Sequence, residues 1–402
     1  MSNGLERLAD KLRADGGQPL DVVLPDGSRI CFGLPPRVVM KVNDEATLAS
    51  LATPTLSALG EAFVDGRIDV EGDFMDVISM AEKLASAGGA PVTKRMAAAA
   101  NRHSPRQDRA DIGFHYNVGN DFYRLWLDER MVYSCAYFPR GDETIDEAQI
   151  AKLDHICRKL RLAAGERLLD IGCGWGGLAI HAAQRFGVRA TGITLSENQY
   201  SLARERVAQA QLSDRVEILL LDYRELIDRF GAGSFDKISS IGMFEHVGIR
   251  NLPQYFGIAN RALRDRGLFL NHGITSSDID NRPIGSGVGE FIEKYVFPHG
   301  ELPHLHLAVR EMSAQGFEVF DVESWRPHYA RTLEHWSRRL ESRLAEAAQA
   351  IDGRRMRIWR AYLAGCSHGF SQGWMNIYQV LASKQTAPGL TELPLSRKWI
   401  YD

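Results

Sequence analysis

Apolar and polar positions change rhythm several times along the chain, and each change predicts an element. The opening MSNGLERLADKLRADGG spaces Leu5, Leu8 and Leu12 at helical intervals with charges between them. Residues 19 to 32, PLDVVLPDGSRICF, set a Pro-Asp-Gly turn between two short β-prone runs and predict a hairpin. TLSALGEAFVDGRIDVEGDFMDVISMAEKLA reads as helix, broken at Gly66 and Gly72, then helix again from Phe74 to Leu84. From Ser86 to Asp111, Gly, Pro, Ser and basic residues displace the periodic apolar ones, which predicts a linker. Beyond it, short apolar runs alternate with amphipathic helices: RLLDIG and a helix to about Phe186, VRATGIT and a helix to about Gln211, then VEILLLD, FDKISSIG and GLFLNHGI. Such alternation predicts a parallel sheet with helices on both faces. The expected segmentation is a small α+β domain over 1–85, a linker over 86–111, and a catalytic domain over 112–402 that ends in a helical tail or lid.

The tail from about Thr332 to Lys384 reads as helical. Between Arg326 and Arg360 it carries nine Arg and no Lys against Glu334, Glu341, Glu346 and Asp352, a basic helical face. Its default reading is a solvated surface. Its functional reading is contact with anionic phospholipid headgroups, with Trp336, Trp359 and Trp374 as interfacial anchors.

Composition narrows the classes. A chain of 402 residues predicts two or three domains at roughly 150 residues each. With 45% hydrophobic and 25% charged residues, it is neither disordered nor fibrous. A net charge of -3 argues against nucleic-acid binding through one dominating basic face. Cys31, Cys135, Cys157, Cys173 and Cys366 form no CxxC pair, which fits free thiols in a reducing compartment. No stretch approaches the roughly 20 apolar residues of a membrane-spanning helix, and the N-terminus lacks a signal-peptide core. The expected location is therefore cytoplasmic, with any membrane contact peripheral, on its inner face. His299, His304 and His306 lack companion ligands, so no metal site is expected.

LLDIGCGWGG, from Leu168 to Gly177, runs a buried-strand pattern into glycines that turn sharply and let a ligand approach the backbone. The form is D-x-G-x-G-x-G. A dinucleotide loop usually reads G-x-G-x-x-G and cradles pyrophosphate, whereas Asp170 suits a cationic amino group and so favours S-adenosylmethionine. Asp222, at the end of VEILLLD, is placed to accept from an adenine amino group. The usual acidic ribose ligand after the second strand is missing, with Thr194, Ser196 and Gln199 there instead. The bland alternative is a glycine turn that serves only strand–helix packing.

Further stretches now combine with DIGCGWGG: FHYNVGNDFYRLWLDERMVYSCAYF (114–138), TLSENQ (194–199), GMFEHVG (242–248), NHGIT (271–275) and RPHYARTL (326–333). Together they resemble the cyclopropane-fatty-acyl-phospholipid synthases and the related mycolic acid cyclopropane synthases, from about residue 60 to residue 385. The resemblance implies an α/β class I S-adenosylmethionine methyltransferase fold, Rossmann-like. It implies methylene transfer from S-adenosylmethionine to the double bond of an unsaturated acyl chain of membrane phospholipid, with bound bicarbonate as the base. It assigns Cys135, Glu245, His272, Ile274 (through its backbone) and Tyr329 to the bicarbonate site, and Tyr133, Ser134, Gly172, Gly174, Thr194, Leu195 and Gln199 to the cofactor. Cys366 matches a tail cysteine near the family's site. Two anions cannot share one pocket cheaply, so a raised Glu245 pKa is expected, lessened by any protonation of His272.

The chain departs from the family at Gly273, which follows His272, and in the long loop SSDIDNRPIGSGVGEFIEKYVFPHGELPHL, where an acyl chain should enter. Alternatives are a C-methyltransferase that leaves a methyl or methylene branch, a small-amine N-methyltransferase, and a non-catalytic lipid-binding protein. MFEH, in place of an Asn/Asp-Pro-Pro-aromatic element, argues against a flipped base as substrate. The oligomeric state, including a homo-oligomer, is left open.

Overall fold

The computed structural model describes residues 18–88, 104, 107–108, 118–281, 287–298, 300–387, 389 and 391–401. The expected N-terminal helix, most of the expected linker and residues 114–117 of the first motif lie outside the described residues. Contacts divide the chain into two compact units: Met1–Ala97 with Pro283–Pro298 and Leu333–Trp374, and Ala98–Arg282 with His299–Thr332 and Met375–Asp402.

In the first unit, β1 (Leu20–Val23), β2 (Arg29–Cys31), β3 (Val38–Val42) and β4 (Ile68–Glu71) form a sheet in the order β2-β1-β3-β4. The β1–β2 hairpin is antiparallel as expected, and Gly27 takes the positive φ its turn requires. β3 and β4 were not foreseen. VVMKV buries alternate residues Val38, Met40 and Val42, and IDVE is too short to display a period. The helices Leu56–Val64, Phe74–Gly88 and Gly353–Ser371 contribute Phe63, Phe74, Met80 and Ala364 to the same core as Leu20 and Val38.

The tail arginines are largely spent inside this unit. Arg357 donates to the carbonyls of Phe63 and Ile68 and pairs with Asp69. Arg354 meets Asp65 at 3.3 Å, and Arg360 grips both Glu341 oxygens at 2.7 and 2.8 Å. Trp336 and Trp359 are buried, so they are not interfacial anchors; their large apolar rings belong to the core that the helices build.

The second unit carries a seven-stranded sheet in the order β10-β11-β9-β8-β5-β6-β7, from β5 (Arg167–Ile171), β6 (Arg189–Thr194), β7 (Val216–Leu220), β8 (Phe235–Ile241), β9 (Leu263–Ser276), β10 (Phe317–Ser324) and β11 (Met375–Lys384). β7, β6, β5, β8 and β9 run parallel, and β11 inserts antiparallel beside β9. The parallel strands follow the sequence expectation. The helical reading of residues 375–384 does not: MNIYQVLASK is a strand between two neighbours, buried on both faces, and so lacks the alternation that separates strand from helix. Among the described residues no helix is long and apolar enough to cross a membrane.

Candidate active site

Strand order reverses between β5 and β8, and there a cavity of about 1070 Å³, counting its open mouth, lies past the carboxyl ends of the strands. Gly172 and Gly174 leave β5 with φ of 78° and 55°. A Cβ on Gly172 would press against Met243 at 3.0 Å, and one on Gly174 would project into open space, a cradle that bare backbone keeps free. Asp170 is buried beneath the turn and accepts from Ser239 Oγ at 2.8 Å. Burial raises its pKa to about 6 against the pull of Ser239 and Lys152.

On β6, Thr194 Oγ1 donates to Gln199 Oε1 at 2.8 Å, while Ser196 caps the helix Glu197–Gln209 through Gln199 N–H. Thr194, Leu195 and Gln199 all line the cavity. TLSENQ thus presents neutral hydroxyl and amide groups where a carboxylate is usual. Asp222 does not line the cavity: Arg224 clasps its two oxygens at 2.8 Å each, and Arg224 reaches Asp108 at 2.8 Å as well. Leu221, Tyr223 and Arg224 form the wall there instead.

The opposite wall is the segment 131–134. Asp128 ties it down by accepting from the N–H groups of Arg130 and Val132 at 2.9 and 2.8 Å. Gln149 Nε2 donates to the carbonyls of Val132 and Ser134 at 3.1 and 2.9 Å. Tyr123, wholly buried, supports Tyr133 with ring centroids 5.5 Å apart. Lys152, on the helix Ile145–Lys159, reaches the same wall and donates to Ser134 Oγ at 2.8 Å. Burial lowers its pKa to about 8 despite Asp128, Cys135 and Asp170 nearby.

A second group of side chains gathers on β9 and its neighbours. Glu245 is buried after β8, and Ile274 N–H donates to its Oε1 at 2.6 Å, whereas Oε2 has no partner among the described residues. Burial raises its pKa to about 7, and the Ile274 hydrogen bond only partly offsets that. His272 faces Gln379 across the β9–β11 ladder, and Gln379 Nε2 lies 3.1 Å from His272 Nδ1. With the amide donating, the ring proton belongs on Nε2, which is buried without a partner among the described residues. Burial, with Lys152 and Lys159 adding to it, holds His272 neutral, its pKa well below the ordinary value. Gly273 has a structural reason: a Cβ there would collide with the Phe244 ring.

Trp325 joins the remaining residues. Its ring stands edge-on to His272 at 5.1 Å, and its carbonyl accepts from Tyr329 N–H at 3.0 Å and lies 3.9 Å from Cys135 Sγ. Cys135 is wholly buried, which drives its thiol far up, so it stays protonated. Cys366, buried in the first unit, is pushed up to about 12 by the same cause. Behind Trp325, His155 Nε2 meets Glu323 at 2.9 Å, and Lys159 meets Asp321 and Glu323 at 2.9 and 2.5 Å. Among the described residues no group of three His, Cys, Asp or Glu could hold a metal ion.

The structure thus gathers Tyr133, Ser134, Asp170, Gly172, Gly174, Thr194, Leu195 and Gln199 around one cavity, and links Cys135, His272 and Tyr329 through Trp325 and Glu245 to Ile274. Lys152, Trp325 and Gln379 were missed by the sequence reading. Trp325 immediately precedes RPHYARTL, so motif adjacency was the available signal; Lys152 sits in a plain amphipathic helix and gave none.

A family model described as mycolic acid cyclopropane synthetase matches residues 103–380, and a model of a domain of unknown function matches residues 8–87. A probable fatty acid methyltransferase of Pseudomonas putida is 47% identical over 388 residues, 95% of this chain and 96% of its own. The cyclopropane-fatty-acyl-phospholipid synthase of Escherichia coli strain K12 is 39% identical, over 69% of this chain and 68% of its own. The crystal structure of mycolic acid cyclopropane synthase CmaA1 complexed with SAH and CTAB is 36% identical, with a TM-score of 0.64 over 69% of this chain and 98% of that one.

Proposed function

Because the chain belongs to the mycolic acid cyclopropane synthetase family and has the class I S-adenosylmethionine methyltransferase fold, we propose that it carries a one-carbon unit from S-adenosylmethionine to the cis double bond of an unsaturated acyl chain in membrane phospholipid, closing a cyclopropane ring with bicarbonate bound as the base. The observation that carries this reading is the pair of buried, unpartnered atoms Glu245 Oε2 and His272 Nε2. Leaving a buried polar atom unsatisfied costs about 1–3 kcal/mol, so these two, on residues that the family resemblance assigns to one site, support a small guest with both donor and acceptor capacity. Bicarbonate has both.

S-adenosylmethionine supplies an electrophilic methyl on a sulfonium. The glycine cradle, Asp170 and the neutral Thr194–Gln199 pair fit its amino-acid and nucleoside ends. An isolated alkene is a weak nucleophile, so positioning in a dry site has to provide much of the rate. The protein's own groups stay out of the way: the Cys135 thiol is protonated, and burial keeps His272 neutral, with Gln379 Nε2 placed 3.1 Å from its Nδ1. His272 Nε2–H would donate to the bound anion. Glu245, with its pKa near neutrality, would share a proton with that anion, which spares the pocket two adjacent negative charges.

A second reading has support in the 47% identity to a probable fatty acid methyltransferase, which spans nearly the whole of both chains. The same site would then leave a methyl or methylene branch. A peripheral location at the cytoplasmic face of the membrane belongs to either reading.

The test is the mass and proton NMR spectrum of acyl chains from monounsaturated phospholipid vesicles incubated with the protein, S-adenosylmethionine and bicarbonate. Gain of one CH2 with upfield cyclopropyl protons is the expected result. Equal gain with an exocyclic methylene or a methyl branch selects the second reading, and no gain overturns both.

A further inference from the structure

Lys152 and Asp170 are opposite charges, both buried, both lining the cavity, and they are not paired with each other. Among the described residues no ion pair joins them, and each is held by a hydroxyl: Lys152 Nζ donates to Ser134 Oγ at 2.8 Å, and Asp170 Oδ1 accepts from Ser239 Oγ at 2.8 Å. The ammonium has three hydrogens and this one acceptor. Burying a lysine on a core-facing helix beside Leu153 and Ile156 is costly unless something repays its desolvation, and a single serine hydroxyl does so poorly. Arg224 and Asp108 also line the cavity but answer each other at 2.8 Å, which leaves Lys152 and Asp170 as a cationic donor and an anionic acceptor that are separated and face the same space. That pattern is the complement of a zwitterion. Asp170 already suits the ammonium of an α-amino acid; its counterpart for the carboxylate was not apparent in the sequence.

We propose that Lys152 is the residue that binds the α-carboxylate of S-adenosylmethionine, with Ser134 as the hydroxyl that aims its ammonium. The inference rests on the cofactor part of the reading above. A charge-assisted hydrogen bond in a dry pocket discriminates strongly between ligands with and without the matching group, and lysine delivers it as a compact, orientable point charge.

The experiment is calorimetric binding of two probes to the full chain: S-adenosylhomocysteine, and S-adenosyl-3-thiopropylamine, which is the same molecule without its carboxylate. Lys152→Met is expected to weaken S-adenosylhomocysteine about 10- to 100-fold and to leave the decarboxylated probe within about twofold of wild type, so that the preference for the carboxylate collapses. Unchanged binding of the second probe also certifies that the variant is folded. Lys152→Gln, which keeps N–H donors without charge, should fall between the two, and it carries the test if the methionine variant does not fold. Equal weakening of both probes, or undiminished preference for S-adenosylhomocysteine, would overturn the assignment of Lys152. Failure of wild type to bind S-adenosylhomocysteine would instead overturn the cofactor reading beneath it.

Discussion

Two glutamates of the same unit, Glu245 buried and Glu323 half-buried, behave in opposite ways. Glu323, on β10, works against its burial with a hydrogen bond from His155 and the charge of Lys159, which together hold it at about 2, firmly ionised. Among the described residues Glu245 has no cation within ion-pairing distance and keeps one oxygen without a partner, and burial raises it to about 7. The same residue type, withdrawn from water in both places, is thus a structural anion where cations answer it and a proton-sharing group where they do not. The difference teaches that burial alone does not mark a site of chemistry; burial left uncompensated does.

The largest effect that would break or sharpen this contrast is catalytic. Glu245→Gln and His272→Ala should each lower turnover about 100- to 10,000-fold, the usual span for a positioned proton-handling group, while S-adenosylhomocysteine still binds. Full turnover in either variant would make the orphaned atoms irrelevant to the chemistry.

Stability against pH comes next, and the two glutamates should differ in sign. Glu245 stands at about 7 against the ordinary 4.5, so the native state holds that proton more tightly than the unfolded chain and stability declines as pH rises from 4.5 to 7. Glu245→Gln removes the penalty: by urea unfolding it should be more stable than wild type by roughly 3 kcal/mol at pH 8 and equal to it below pH 4. Glu323 stands at about 2 against 4.5, so its contribution is present above 4.5 and is lost as pH falls toward 2. Glu323→Gln should cost about 2 kcal/mol at pH 7, less than a broken buried pair usually does because Asp321 still faces Lys159 and Glu323 is partly exposed. Matching signs for the two variants would dissolve the comparison.

A smaller effect is expected from Gln379→Leu. It removes the amide beside His272 Nδ1, frees the ring to carry its proton on either nitrogen, and should lower turnover about tenfold without loss of cofactor binding. Unaltered turnover would mean that the tautomer is fixed by something other than Gln379.

What the sequence made legible follows the same division between local and non-local causes. DIGCGWGG and TLSENQ declare themselves because a strand, a glycine turn and a helix cap are all specified by neighbouring residues. β11 was misread as helix because a strand covered on both faces shows no alternation, and its pairing partner lies a hundred residues earlier, in β9. Trp325, Gln379 and Lys152 were missed because their roles arise only when β9, β11 and the helix Ile145–Lys159 meet. The arginine tail was only partly legible: Glu334, Glu341 and Asp352 answer some of its charge locally, but Asp65, Asp69 and Asp73, which answer the rest of what is paired, are far away in sequence.

The central claim is that Glu245 and His272 hold a small, replaceable base rather than act as the base themselves. Its most direct test is the turnover of wild type in carbonate-depleted buffer, followed by titration with bicarbonate. The account predicts a rate that collapses on depletion and recovers along a saturable curve, with no comparable recovery in Glu245→Gln. A rate indifferent to depletion would contradict it.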